Sequence, residues 1–189
     1  AVSVIRLSKR KVLVQDLYCI ETLARVDTIC LDKTGTITEG SMEVVDVISK
    51  NDDYSIDEIV ANLNDSLDES NPTGLALKEK FGKKSTFHLK EKISFSSSKK
   101  YSGGVYEEGR YLIGAPEFLW KSKIGKYKEE LDKYTKDYRV LLLVKSQDKK
   151  LNKLVVIGYI LLQDKIRKEA FDTLRYFKKQ GVDIKIISG

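Results

Sequence analysis

Apolar residues recur along the chain with two different periods, and each change of period marks the boundary of a predicted element. Helical spacing predicts helices over 17–24, 55–67, 71–81, 126–138 and 166–177. Alternating positions or short apolar runs predict strands over 26–31, 42–49, 87–95, 101–107, 111–113, 140–145, 154–162 and 182–187. The order of these elements carries more information about the architecture than any one of them.

Local signals predict where two helices begin and where one hairpin turns. Ser55 and Glu58 have the spacing of a capping box, in which each residue satisfies a free backbone N–H at the helix start. Asn71 can cap the next helix, because Pro72 is tolerated at the first helical position. Glu108-Gly109 between two strands predicts a hairpin turn.

The two ends of the chain differ in character from its middle. Strand–helix–strand patterns with continuous apolar runs at both ends are typical of a parallel sheet covered on both faces. The middle alternates apolar and polar residues, as half-exposed antiparallel strands do. The sequence therefore predicts an α/β protein in which one domain is inserted into another. The outer domain is predicted over 1–42 and 149–189, and the insert over 43–148.

Composition narrows the class of protein. A chain of 189 residues with 41% hydrophobic residues can build one sizeable core or two small ones. Its longest apolar runs, 140–144 and 154–162, are far shorter than the roughly 20 residues that cross a bilayer. Cys19 and Cys30 lie in apolar surroundings, so buried free thiols in a reducing compartment are expected. The net charge of +6 is spread as lysine pairs without a nucleic-acid signature, so we expect no nucleic-acid partner.

Candidate chemistry begins at Asp32, at the carboxyl end of the first predicted strand, where open parallel sheets bind their ligands. Gly35 in the following loop allows backbone N–H groups to approach an anion, and Thr34 and Thr36 add hydroxyl donors. A carboxylate in this position can attack a phosphoryl group and form an aspartyl phosphate, with Mg²⁺ reducing the repulsion between the two anions. The alternative is an ordinary acidic turn, since Asp and Gly are common turn residues.

The string Cys-Leu-Asp-Lys-Thr-Gly-Thr-Ile-Thr over 30–38 closely resembles the phosphorylation motif of P-type cation-transporting ATPases. The resemblance implies ATP and Mg²⁺ as cofactors. It also implies a partial haloacid-dehalogenase-like parallel sheet, the phosphorylation domain, with an inserted α+β nucleotide-binding domain built on an antiparallel sheet. This is the same inserted arrangement that the strand patterns predict.

The resemblance assigns roles around the motif residue by residue. Asp32 matches the phosphorylated aspartate, and Thr34 matches the threonine that contacts both magnesium and the transferred phosphate. Asp32 and Thr34 are therefore also the expected metal ligands. Ser188, in a segment similar to Thr-Gly-Asp, is expected to donate to a phosphate oxygen. Related phosphatases carry a water-activating acid two positions after the nucleophile, and Thr34 cannot act as one, so the acyl phosphate is expected to persist.

The resemblance also assigns nucleotide-binding residues. Phe95 matches the ring that stacks on adenine, Lys100 the lysine that reaches the nucleotide, and Arg139 a phosphate-directed arginine. A lone Phe at a strand end is also a common core residue. Three further segments match the family, the last two with departures from its pattern. They contribute Thr73 after Asn71-Pro72, Gly114 after an isoleucine that replaces a lysine, and the pair Asp164 and Arg167, which is expected at ribose and phosphate although the intervening prolines are absent.

The leading hypothesis is therefore a catalytic fragment of an ATP-driven cation pump on the cytoplasmic face of the cell membrane. Flanking segments would hold the pump in the membrane, and the isolated fragment is expected to be weakly active at most. His88 is followed by Leu89 and not by the proline of heavy-metal pumps, which favours calcium or another hard cation by analogy. A soluble phosphatase of the haloacid dehalogenase type and a noncatalytic nucleotide-binding module are the alternatives.

Overall fold

The structure, a computed structural model, describes residues 2–16, 18–119 and 125–187. The helices are α1 (Val2–Lys9), α2 (Tyr18–Leu23), α3 (Ile56–Leu67), α4 (Pro72–Phe81), α5 (Pro116–Leu119), α6 (Gly125–Tyr134) and α7 (Ala170–Lys179). The strands are β1 (Thr28–Asp32), β2 (Thr38–Ser49), β3 (Leu89–Ile93), β4 (Tyr101–Tyr106), β5 (Arg110–Gly114), β6 (Arg139–Ser146), β7 (Leu154–Ile166) and β8 (Asp183–Ile187). The chain divides into two units, one formed by Ala1–Glu39 with Ile166–Gly189 and the other by Gly40–Lys165.

The first unit contains a parallel pair of strands. β1 and β8 pair in parallel from Thr28 opposite Asp183 to Asp32 opposite Ile187, so their carboxyl ends coincide. Side chains of β1 alternate between exposed and half-buried, and Ile187 is exposed. We predicted strands buried on both faces, and the structure differs, because within the described residues this sheet has only two strands.

The second unit is built on a six-stranded sheet with the strand order β2-β7-β6-β5-β4-β3. The pairs from β3 to β7 in this order are all antiparallel. β7, which the sequence analysis placed in the outer domain, belongs to this sheet through its pairing with β6. The second unit comprises 40–165. The predicted boundaries of the inserted domain, 43–148, stay a prediction.

Two hydrophobic cores cover the two faces of the six-stranded sheet. One contains Ile157 and Ile160 of β7 together with side chains of α3 and α4. The other contains Val156 and Tyr159 of the same strand together with Leu119 of α5 and Leu131 of α6. Because successive side chains of a strand point to opposite faces, a strand covered on both sides is apolar at nearly every position. This explains why β7 resembles a strand of a parallel sheet.

The predicted starts of two helices are confirmed. Ser55 caps α3, its hydroxyl oxygen accepting a hydrogen bond from the Glu58 N–H at 3.3 Å. Asn71 caps α4, its side-chain oxygen accepting from the Gly74 N–H at 2.9 Å, with Pro72 as the first helical residue.

The prediction of two buried thiols is wrong. Both cysteines are free, but Cys19 is half-buried and Cys30 is exposed, because β1 has an exposed face. The long apolar helix that a membrane crossing would require does not occur in the described part of the chain.

A buried amide, Asn62, joins α3 to the segment before β3. Asn62 is 1% exposed. Its side-chain oxygen accepts from the backbone N–H groups of Thr86 at 2.9 Å and Phe87 at 2.8 Å, while its NH₂ donates to the Glu58 carbonyl at 2.9 Å. The amide thus provides the acceptor for the backbone N–H groups of Thr86 and Phe87, which lie outside any strand.

We predict that Asn62→Leu lowers the free energy of unfolding by roughly 2–4 kcal/mol, because two backbone N–H groups lose their acceptor. Urea denaturation followed by far-ultraviolet circular dichroism measures this change. The same substitution at Asn51, whose side chain accepts one hydrogen bond from Asp53 at an exposed turn, serves as the control. We expect a loss below about 1 kcal/mol there, and equal losses at both sites would contradict the role of Asn62.

The single histidine of the chain lies beside the hairpin between β4 and β5. The His88 Nδ1 atom is 2.9 Å from a carboxylate oxygen of Glu108, and its side chain is 73% exposed. The hydrogen bond to Glu108, followed by the charges of Glu108 and Glu107, raises the pKa of His88 above its ordinary value of 6.5. The stabilisation from this pair is therefore fully present between pH 4.5 and pH 6.5, the ordinary pKa values of the two groups. It is lost as the pH rises through the raised pKa of His88 or falls through the lowered pKa of Glu108.

An NMR titration of the imidazole resonances, which come from one residue only, should give a pKa above 6.5 for His88. Glu108→Gln should return the pKa towards that ordinary value, because the hydrogen-bonded carboxylate is removed. A wild-type pKa at or below the ordinary value would show that the ion pair does not form in solution.

Candidate functional site

The predicted nucleophile, Asp32, ends β1 and opens a wide turn, Lys33–Ile37. It is exposed, and its Oδ1 atom accepts a hydrogen bond from the Thr34 N–H at 3.2 Å. Gly35 has a φ of 78°, in the left-handed region that residues with a side chain rarely adopt. The Gly35 N–H donates to the hydroxyl of Thr38, which is buried at the start of β2, at 3.2 Å. The motif therefore forms a defined turn with an accessible carboxylate at its entrance.

Arg167, predicted at ribose and phosphate, lies against this turn. Its side-chain Nε donates to the Thr36 carbonyl at 3.0 Å and its Nη2 to the Gly35 carbonyl at 2.9 Å. Its backbone N–H donates to the Ile37 carbonyl at 2.9 Å. The predicted contact of Arg167 with a nucleotide stays a prediction, while its hydrogen bonds to the turn are a structural observation.

A separate cleft of about 540 Å³ opens in the second unit. Its lining includes five of the residues predicted to bind a nucleotide, namely Thr73, Phe95, Lys100, Gly114 and Arg139. They come from the start of α4, the segments before and at the start of β4, the end of β5 and the start of β6. The fold thus brings together side chains that are far apart in sequence.

Phe95 and Lys100 contribute an exposed ring and an exposed ammonium group to the cleft. Phe95 is 48% exposed, so the alternative that it is a core residue is wrong. A half-exposed aromatic ring at the rim of a cleft leaves one surface available for a flat ligand. Lys100 is exposed and has a φ of 55° immediately before β4.

Gly114 forms part of the cleft wall where two strands approach closely. A Cβ atom at this position would lie 2.4 Å from the Tyr101 Cβ and 2.5 Å from the Lys100 carbonyl oxygen. Ile113, which replaces the lysine of the family pattern, is 5% exposed and also lines the cleft. The wall beneath the cations is therefore apolar and tightly packed.

Arg139 is held in place at one side of the cleft. Its Nη1 atom donates to the Thr73 hydroxyl at 3.2 Å and lies 3.2 Å from the sulfur of Met42. The Thr73 hydroxyl is itself 3.7 Å from the same sulfur. Met42 is buried and is the only methionine of the chain, and the sequence analysis did not single it out. Met42 lies outside every sequence motif, so its contact with Arg139 and Thr73 is visible only in the folded chain.

Glu69, which lines the cleft, is a second residue that sequence reasoning missed. One of its carboxylate oxygens accepts from the Asn71 side-chain NH₂ at 3.0 Å. The other is buried and has no hydrogen-bond partner in the part of the chain that the structure describes. Its sequence neighbours suggest only a capped helix start, so no pattern signals a carboxylate facing the cleft.

The remaining residues predicted to contact the ligand are Asp164, Arg167 and Ser188. Asp164 is half-buried in β7, and neither it nor Arg167 is among the described residues that line the cleft. Ser188 lies outside the described residues. β8, which precedes Ser188, ends opposite Asp32 at Ile187. The ligand contacts predicted for Asp164, Arg167 and Ser188 stay predictions.

A family model for haloacid dehalogenase-like hydrolases matches residues 26–189. The chain belongs to this family of hydrolases. Its relatives within the family are cation-transporting P-type ATPases, which match the chain over nearly its whole length.

Two curated relatives illustrate the match. The probable cation-transporting ATPase exp7 of Streptococcus pneumoniae is 37% identical over 99% of this chain and 25% of its own length. The calcium-transporting ATPase CtpE of Mycolicibacterium smegmatis is 35% identical over the full chain and 24% of its own length. The chain therefore spans about a quarter of the length of these relatives.

Solved structures agree on the fold. A zinc-transporting PIB-type ATPase superposes with a TM-score of 0.68 at 20% identity, over 90% of this chain and 27% of that one. The catalytic domain of the CPx-ATPase CopB-B superposes with a TM-score of 0.60 at 18% identity, over 93% of this chain and 59% of that one. The predicted α/β fold, with a haloacid-dehalogenase-like part and an antiparallel sheet, is confirmed.

Proposed function

We propose that this chain is the ATP-binding and phosphoryl-accepting segment of an ATP-driven cation pump. The observation that carries the proposal is the convergence of five predicted nucleotide residues on one cleft. The five residues lie in motifs that are spread over positions 73–139 of the sequence. The cleft combines an exposed ring, two exposed cationic side chains and an apolar wall, which are the groups that a base and a polyphosphate require.

Within this proposal, Phe95 stacks on the adenine ring, while Lys100 and Arg139 attract the phosphates. The bond from Arg139 to Thr73 fixes the direction of the guanidinium before the ligand arrives. A cation held in advance loses less conformational freedom on binding than a free one does.

Asp32 is the proposed phosphoryl acceptor. One carboxylate oxygen attacks the γ-phosphorus, the bond from that phosphorus to the bridging oxygen breaks, and ADP leaves with the electron pair. The product is an acyl phosphate on Asp32. Thr34, two positions later, carries a hydroxyl and not a carboxylate, so no group at that position removes a proton from water. The intermediate then lasts long enough to be coupled to a later step.

The residues at the turn fit Mg²⁺ as part of a site that the nucleotide completes. The Asp32 carboxylate and the Thr34 carbonyl are hard oxygen donors, and Mg²⁺ is usually held by one or two carboxylates together with phosphate oxygens and water. Within the described ranges, no group of three or more His, Cys, Asp or Glu side chains lies close enough together to hold a metal ion. When bound, Mg²⁺ reduces the repulsion between the carboxylate and the phosphate.

The remaining assignments follow from the relatives. We propose that the transported ion is calcium or another hard cation, which agrees with the name of the CtpE relative. We also propose that the segment acts at the cytoplasmic face of a membrane, which the rest of the pump spans.

We predict that Phe95→Ala weakens ATP binding by roughly 1–3 kcal/mol, equivalent to about a 5- to 150-fold rise in Kd, because the stacking surface is lost. Isothermal titration calorimetry with ATP measures the affinity. Phe95→Tyr keeps the ring and should bind within about threefold of wild type.

The matched control is Phe171→Ala, which removes another exposed ring, on α7 in the first unit. We expect no change in ATP affinity from that substitution. Equal loss of affinity in both alanine variants, or none in either, would count against Phe95 as the stacking residue.

In the full-length protein, the γ-phosphoryl group of labelled ATP should become bound to the protein in the presence of Mg²⁺ and be released by hydroxylamine. Asp32→Asn should abolish this label, because an amide oxygen is a much weaker nucleophile than a carboxylate. Acid-quenched gel electrophoresis of the labelled protein provides the measurement.

The control is Asp27→Asn, an exposed aspartate just before β1, and this variant should retain the label. A label that persists in Asp32→Asn would refute the assignment. Rapid hydrolysis of small phosphate esters without a trapped intermediate would instead identify a phosphatase.

A further inference from the structure

The turn that follows Asp32 has a solvent-exposed centre. Thr34, Gly35 and Thr36 are all exposed. A Cβ atom built on Gly35 would meet no atom of the described residues within 4 Å. Since the turn is exposed and this position has no neighbour in that part of the chain, hydrogen bonds make a large contribution to the conformation of the turn. Those bonds come from Asp32 and Thr38 within the motif and from Arg167, which is distant in sequence.

Arg167 supplies donors to successive carbonyls of the turn. Nη2 bonds Gly35, Nε bonds Thr36, and the backbone N–H bonds Ile37, at 2.9, 3.0 and 2.9 Å. The Nε and Nη2 donors of a guanidinium lie in one plane with fixed spacing, so they match a pair of acceptors as a rigid fork. A lysine ammonium has no such fork.

The contact also sets the direction of the backbone N–H groups. The chain contains no cis peptide bond in its described residues. In a trans peptide the N–H points away from the C=O of the same unit. Holding the carbonyls of Gly35 and Thr36 towards Arg167 therefore turns the N–H groups of Thr36 and Ile37 to the opposite side of the turn. Backbone N–H groups aligned in this way are suited to an anion.

The same geometry bears on the contact that the family pattern assigns to Arg167. The Nε–Nη2 edge is one of the two edges through which a guanidinium makes a bidentate contact with a phosphate. In this structure that edge is occupied by the two carbonyls of the turn.

We propose that Arg167 is a positioning residue, which holds the turn after Asp32 in the conformation required for phosphoryl transfer and does not itself contact ribose or phosphate. This inference rests on the proposed function for its effect on rate, but the hydrogen bonds that it invokes are independent of that function.

The test uses the full-length protein with Arg167→Lys and Arg167→Gln. Both variants lose the fork, so both should lower the rate of phosphoenzyme formation by about tenfold, which corresponds to one charge-assisted hydrogen bond. The KM for ATP should stay within about twofold of wild type, because the nucleotide contacts are unchanged. Lys168→Gln, which removes a neighbouring exposed cation, should leave both quantities unchanged.

A second measurement, hydrogen exchange followed by mass spectrometry, reports on the conformation of the turn independently of the rate of phosphoryl transfer. Amides of the turn should exchange about tenfold faster in both Arg167 variants, while those of α7 keep their wild-type protection and so report an intact fold. A raised KM with unchanged exchange in the turn, or a wild-type rate in Arg167→Lys with loss only in Arg167→Gln, would overturn the proposal. If the wild-type protein forms no phosphoenzyme, the proposed function fails, and the exchange data alone still decide whether Arg167 holds the turn.

Discussion

The position of β2 beside β7 in the six-stranded sheet is the constraint on which the rest of the arrangement depends. β2 begins at Thr38, immediately after the turn that follows Asp32, and β7 ends at Ile166, immediately before Arg167. Because these strands are hydrogen-bonded neighbours, the segments beyond their ends also run close together. The hydrogen bond from the Arg167 N–H to the Ile37 carbonyl joins the residue after the end of β7 to the residue before the start of β2. The side chain of Arg167 therefore reaches the turn through local geometry, although the two segments are far apart in sequence.

The antiparallel register of the same sheet assembles the cleft. Tyr101 lies opposite Gly114, and Gly114 lies opposite Leu142, so the start of β4, the end of β5 and the start of β6 share one end of the sheet. Lys100 and Arg139 are thus brought to the same end by strand pairing alone. The close approach of the strands at Gly114 leaves no room for a side chain there.

Much of this could be predicted from the sequence, because the relevant signals are local. Ser55 and Asn71 mark helix starts with short polar side chains, and the motif after Asp32 needs a glycine at one position for its backbone. The assignment of β7 could not be predicted, since Ile157 and Tyr159 face different cores and the strand has no charged residue over 154–162. Continuous apolarity indicates coverage on both faces, which a helix-covered antiparallel sheet provides as well as a parallel one. Met42 and Glu69 could not be predicted as part of the site, because no sequence motif includes them and the fold alone brings them to it.

The two candidate sites differ in how their geometry is maintained. The cleft is bounded by buried residues such as Ile113 and Gly114, so its shape is supported by the same packing that stabilises the second unit. The turn after Asp32 is exposed and is held by a few hydrogen bonds, each worth about 1 kcal/mol net. Losing one such bond therefore costs little in global stability but changes a large share of the interactions that define the turn. A substitution at Arg167 consequently acts on the conformation around the nucleophile far more than on the fold.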